Sequence, residues 1–222
     1  MPPDCPATAP DWPRPPWTPI PATLRVELRE LNRGFLELLR AEPVIAESSP
    51  CLAAIAGLQT EARELIAGCP VTLFNLRFEQ TAFWSAPEPP VVAEADVIPY
   101  LAGAPRSFVG TALFFAWHVV QCSEFAARLL LAMPSPTYHA FRLLPLAQLH
   151  RYAQACPDLL QPRWIDHPCF WPDLLAAAER GDRVALDAAL LSGIQLVFKE
   201  VEPAALPARD GGARRSRHTR LR

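Results

Sequence analysis

SFVGTALFFAWHVVQCSEFAARLLLAM, residues 107–133, is the longest apolar run in the 222-residue chain and the only one long enough for a central helix. At about 100° per residue, Ser107, Thr111, His118, Gln121, Glu124 and Arg128 fall within a polar arc of about 140°. The rest of the circumference is apolar. Val109, Leu113, Phe114, Phe115, Trp117, Val119, Val120, Phe125, Leu129, Leu130 and Leu131 are therefore expected to contact neighbours on more than half of it, as a helix inside a bundle does. A membrane span needs about 20 apolar residues with few charges. Here the uninterrupted apolar part is shorter, and Glu124 and Arg128 follow it directly. A mainly α protein is expected, a helical bundle around a central buried helix with at most one or two short strands and no membrane contact.

Upstream of the run the chain divides by composition. Residues 1–22 carry nine prolines and read as an extended arm that cannot form a helix or a ladder, with Trp12 and Trp17 available to dock on the body or on a partner. From Thr23 the spacing of Leu24, Leu28, Leu31, Phe35, Leu38 and Leu39 by threes and fours predicts an amphipathic helix, which Pro43 bars from extending. A second short helix is expected from Ser49 and Pro50 to Gly57, and a third through Ala62, Leu65 and Ile66, stopping at Gly68. VTLFNLRF, residues 71–78, alternates Phe74, Leu76 and Phe78 with Asn75 and Arg77, as a half-buried strand would; a short buried helix is the alternative. Residues 87–106 read as a Pro-rich connection between an N-terminal helical subdomain, 23–86, and a C-terminal one, 107–202.

Downstream, Pro134 and Pro136 break the chain, and Tyr138 to Cys156 predicts one or two helices interrupted at Pro145. Trp164 to Trp171 reads as an aromatic loop. Pro172 then opens a helix ending at Gly181, followed by another from Asp182 or Arg183 to Ser192 with Gly193 as its cap; Ile194 to Val201 fits either a strand or a helix end. Residues 203–222 form a basic tail.

The net charge of −2 conceals an asymmetry. The tail holds Arg209, Arg214, Arg215, Arg217, Arg220 and Arg222 against Asp210, or +5, which leaves −7 on the rest. Arginine forks suit phosphate, so the tail is the expected polyanion-binding element and a weak nucleic-acid contact. Lys199 is the only lysine among 21 basic residues, a skew that with the Ala and Pro richness suggests a GC-rich, bacterial coding bias. The first residues lack the apolar core of a secretory leader, and the six cysteines have no paired short spacings, so a cytoplasmic setting with reduced thiols is expected.

Motifs that carry chemistry are scarce. No Gly-x-Ser-x-Gly, Walker loop, dinucleotide fingerprint or His-Glu-x-x-His is present, and nine glycines leave little material for phosphate cradles. No catalytic residue, cofactor or metal is assigned. His150, Cys156, His167 and Cys169 have the donor chemistry of a tetrahedral zinc site but none of the short chelating spacings that such sites use. His118, Gln121 and Arg128 on the polar arc form the candidate groove for a ligand or partner.

Two stretches resemble known families. AAERGDRVALDAALLSGIQLV, residues 177–197, resembles one ankyrin repeat, with Ala177 and Ala178, Gly181 at the turn, Leu190 and Leu191, then Gly193; with no second copy it reads as a helical hairpin with glycine caps. Leu31, Asn32, Phe35, Leu36 and Leu38, then the short helices, then VTLFNLRF, resemble the core of the FlhD family, the smaller subunit of the bacterial flagellar master regulator. There an Asn-containing helix start precedes an apolar tract ending in Arg-Phe. That resemblance spans residues 31–78 and implies a helical, dimerising, DNA-associated transcription factor working with a partner subunit. The expectation is thus a non-catalytic interaction or regulatory protein with a protein partner or as a homodimer. The alternative is an enzyme or small-ligand binder with a pocket near His118 and His167.

Overall fold

Leu24, Leu28, Leu31, Phe35 and Leu39 line one side of the first helix and are buried, and that stripe sets where everything else packs. In the computed structural model, residues 20–41, 49–88, 106–156 and 159–201 are described. The arm before Ile20, the linker around Pro43, most of the 87–106 connection and the basic tail lie outside them. The chain is mainly α. Its elements are α1 (Ala22–Ala41), α2 (Pro50–Ala56), α3 (Thr60–Ala67), β1 (Phe74–Asn75), α4 (Thr81–Trp84), α5 (Arg106–Cys122), α6 (Glu124–Leu131), α7 (Ser135–Arg142), α8 (Leu146–Ala155), β2 (Gln161–Pro162), α9 (Phe170–Arg180) and α10 (Arg183–Val201). None of these helices is long and apolar enough to cross a membrane.

The buried side of α1 rests on α2 and α3, and α5 lies alongside it. Beyond its contact with α1, α5 packs on α6, α7 and α8, while α9 and α10 form a hairpin that covers α3 and α6. Buried apolar side chains form one cluster running from Leu24 to Val201.

The long apolar run is two helices, not one. Ser123 is extended (φ −168°, ψ 133°) and its hydroxyl accepts the amide of Ala126 at 3.4 Å, so it ends α5 and caps α6. Burial keeps to one side across the break: Ala126, Ala127, Leu130 and Leu131 are buried while Phe125 and Arg128 are exposed. Phe114 and Phe125, expected inside, are each 42% exposed. For both the cause is angular: at about 100° per residue each falls between His118 and Gln121, inside the polar arc. The true buried stripe is Val109, Ala112, Leu113, Phe115, Ala116, Val119 and Val120.

Residues 71–78 are neither a regular strand nor a helix. Only Phe74 and Asn75 pair, antiparallel with Pro162 and Gln161. The rest is held by side chains and loops. Asn32, fully buried on α1, donates from Nδ2 to the carbonyls of Cys69 (3.2 Å) and Val71 (3.0 Å) and accepts the Leu73 amide at Oδ1 (3.0 Å). The Thr72 amide donates to the Leu130 carbonyl at 2.9 Å. Arg77, buried and at φ 57°, turns the chain, and its carbonyl accepts the Trp84 indole N–H at 3.1 Å. Trp84 sits among Phe78, Phe83, Phe141 and Tyr152, with ring centroids 5.0–5.6 Å away. The Tyr152 hydroxyl donates to the Phe83 carbonyl at 3.1 Å and so joins α8 to α4.

Gly193 is not a cap. Helix α10 continues unbroken to Val201, and Gly193 is buried inside it because a Cβ there would stand 2.9 Å from Cε2 of Phe170. Gly181 does end α9, at φ 64° in open space.

Candidate functional site

Helices α1 and α5 run side by side and leave an open groove of about 650 Å³ between their outer faces. Val26, Leu31 and Gly34 of α1 face Phe108, Phe114 and Phe115 of α5, and Glu27, Glu30, Thr111 and His118 supply the polar rim. Gly34 permits the closeness, since a Cβ there would meet Phe108 Cε2 at 3.0 Å. Phe108 is fixed from behind by an edge contact with Phe74, centroids 5.7 Å apart. The groove floor is therefore aromatic.

Its rim is charged. Nδ1 of His118 stands 3.4 Å from Oε2 of Glu27, both side chains being about half exposed. Glu30 pairs with Arg33, which also holds Glu64 of α3 through Nε at 2.5 Å and Nη2 at 2.7 Å. That fork keeps the Glu64 carboxyl below its ordinary range and raises the Arg33 guanidinium, each through hydrogen bonding to the other. Val26 (62% exposed) and Phe114 stand open to solvent at the mouth.

Of the residues expected at the site, only His118 lines this groove. Gln121 instead donates from Nε2 to the Arg142 carbonyl at 3.2 Å, closing the end of α7, and Arg128 is exposed on α6, beyond the Ser123 break. His167 lies elsewhere: its Nδ1 accepts the backbone amides of Phe170 (3.0 Å) and Cys169 (3.3 Å), so the imidazole caps α9. The aromatic loop around it is anchored by Arg163, whose amide donates to the Leu73 carbonyl at 3.0 Å and whose own carbonyl accepts Trp171 Nε1 at 2.7 Å. The buried Arg163 side chain donates to the Leu131 carbonyl, and burial lowers its pKa.

The four candidate zinc donors are not gathered. His150 and Cys169 are exposed while Cys156 is buried, and among the described residues no group of three or more His, Cys, Asp or Glu side chains is placed to hold a metal ion. Cys69 is an inert core thiol, its pKa pushed up to about 12 by burial. The tail arginines, Arg209 to Arg222, lie outside the described residues.

Sequence reasoning missed Glu27, Val26 and Phe114. The signal for Phe114 was present, an aromatic residue on the polar arc of its helix. For Glu27 and Val26 there was none, because their significance depends on α5 lying against α1. No protein-family model, curated protein or solved structure gives a significant match to this chain.

Proposed function

We propose that this chain is a non-catalytic helical interaction and regulatory protein, bacterial and cytoplasmic, that binds a macromolecular partner in the groove between α1 and α5. The observation that carries the reading is Phe114, a large aromatic side chain 42% exposed in the middle of a polar helix face, beside the 62% exposed Val26 and above an aromatic floor. Apolar side chains held open to water in a rimmed groove are what an inserting apolar segment needs. A small molecule fits less well. Half-exposed Glu27 and His118 leave the mouth wet, whereas small-ligand sites enclose most of their ligand.

A transcription-associated role, with nucleic acid reached through the tail arginines, belongs to the same reading. Its support is the FlhD-like order of residues 31–78, whose two halves are joined through Asn32 and the 69–73 backbone. The test is affinity purification of the tagged chain and of its Val26→Glu/Phe114→Glu variant from native cells. The variant is expected to fold and melt like the parent and to lose at least one protein that the parent retains. Identical sets of retained proteins would sink the groove as the docking site.

A further inference from the structure

We infer that the groove between α1 and α5 is covered in cis by the chain's own proline-rich arm, with Trp12 or Trp17 seated against Phe108, Phe114 and Phe115 and Arg14 paired with Glu27. The inference rests on the reading of this groove as a docking site and adds how that site is regulated.

The complementarity is chemical. Extended Pro-rich segments are recognised by aromatic-lined grooves, at small entropic cost because polyproline II is already ordered, and an acidic rim selects those with an arginine among the prolines. Three phenylalanines line the groove here, Phe108 and Phe115 below and Phe114 at the mouth, and the rim carries Glu27 and Glu30, with His118 beside Glu27. The arm reads PDWPRPPWTP over residues 10–19: two tryptophans, five prolines and Arg14, its single basic residue.

Reach agrees as well. Ile20 is partly buried against the core immediately before α1, so the arm leaves the body at the end of the helix that forms one wall of the groove. Trp12 to Pro19 spans roughly 25 Å as polyproline II, whereas Val26 to Gly34 covers roughly 12 Å of helix. An arm folding back along α1 covers the whole wall. So short a tether gives an effective concentration of about millimolar, which favours the arm of the same chain over that of a second copy. An arm held in this way keeps Phe114 and Val26 from water until a tighter partner displaces it.

The test uses the full chain and, as probe, a fluorescent peptide of residues 10–19. The peptide is titrated into the parent and into a Trp12→Ala/Arg14→Ala/Trp17→Ala chain, each checked by circular dichroism and sedimentation. The substituted chain is expected to bind the peptide saturably and at least about tenfold more tightly than the parent, whose tethered arm competes. Adding Phe114→Glu to the substituted chain is expected to abolish binding. Equal affinity for both chains, no saturable binding by either, or binding untouched by Phe114→Glu would each overturn the proposal. So would a parent dimer that the arm substitutions dissociate, since the arm would then sit on a second copy. If the peptide finds no site while Val26→Glu/Phe114→Glu still loses a partner, the cis arm falls and the docking groove stands.

Discussion

Asn32 shows how much one polar side chain decides in this molecule. It lies on the buried face of α1 beside Leu28 and Leu31, where an apolar residue would satisfy the helix pattern equally well, and it is fully buried. Its carboxamide satisfies three backbone groups of a segment that has almost no ladder of its own. Removing it strands those groups away from water, and each unsatisfied buried group costs about 1–3 kcal/mol. Asn32→Ala is therefore expected to destabilise the fold by about 3 kcal/mol or more, read as a lower denaturation midpoint in urea. Asn32→Asp keeps the acceptor for the Leu73 amide but faces two carbonyls with a charge, and should be worse. A variant with an unchanged midpoint would mean that the 69–73 segment is held by its own side chains. Asn32 stood out in the sequence through its place in the FlhD-like pattern, but its three partners belong to a tract whose path no local pattern gave.

Among the elements, α5 separates what was legible from what was not. Helix ends written in Pro or Gly could be read directly: Pro50 opens α2, Gly57 and Gly68 follow α2 and α3, Pro145 precedes α8 and Gly181 ends α9. Gly181 acts through its own φ of 64° and the prolines through their missing N–H, so no distant contact is needed, whereas Gly57 and Gly68 sit at ordinary negative φ. Ser123 and Gly193 misled because their effects depend on tertiary context. Ser123 breaks a run that propensity would continue, and Gly193 stays helical because Phe170 needs the space a Cβ would take. Neighbouring positions on α5 offer a direct check. Leu113 is fully buried, so Leu113→Asp forces an unpaired charge into the core and is expected to abolish folding, at several kcal/mol. Phe114→Asp adds its charge at an exposed site and should stay within about 0.5 kcal/mol of the parent. Thermal melts of the two variants decide it, and a collapsed Phe114→Asp would put that ring in the core after all.

For the whole molecule, the distribution of charge matters more than its sum. The groove could not be read from the sequence, since its walls come from helices far apart in the chain that meet only in three dimensions; His118 and Thr111 alone were visible, as polar residues of an apolar run. The charge asymmetry, by contrast, needs no fold at all. Six arginines against Asp210 in residues 203–222, attached to a body of charge −7, must either pair with that body or reach a polyanion. Phosphate contacts made by arginine release counterions, so each one steepens the loss of affinity with salt, whereas a tail folded back on partly exposed carboxylates gains little per pair. The intact chain is accordingly expected to retain nucleic acid weakly at low salt and to release it steeply as salt rises. Removing residues 209–222 should abolish retention while leaving the melting temperature nearly unchanged, because the buried cluster of the described residues runs from Leu24 to Val201 and the tail sequence is polar and arginine-rich. Filter binding of duplex DNA across a salt series, with both chains, measures the two quantities together. Equal retention by the truncated chain would place the contact on the body, and no retention by either would remove the tail as a reason for a nucleic-acid role.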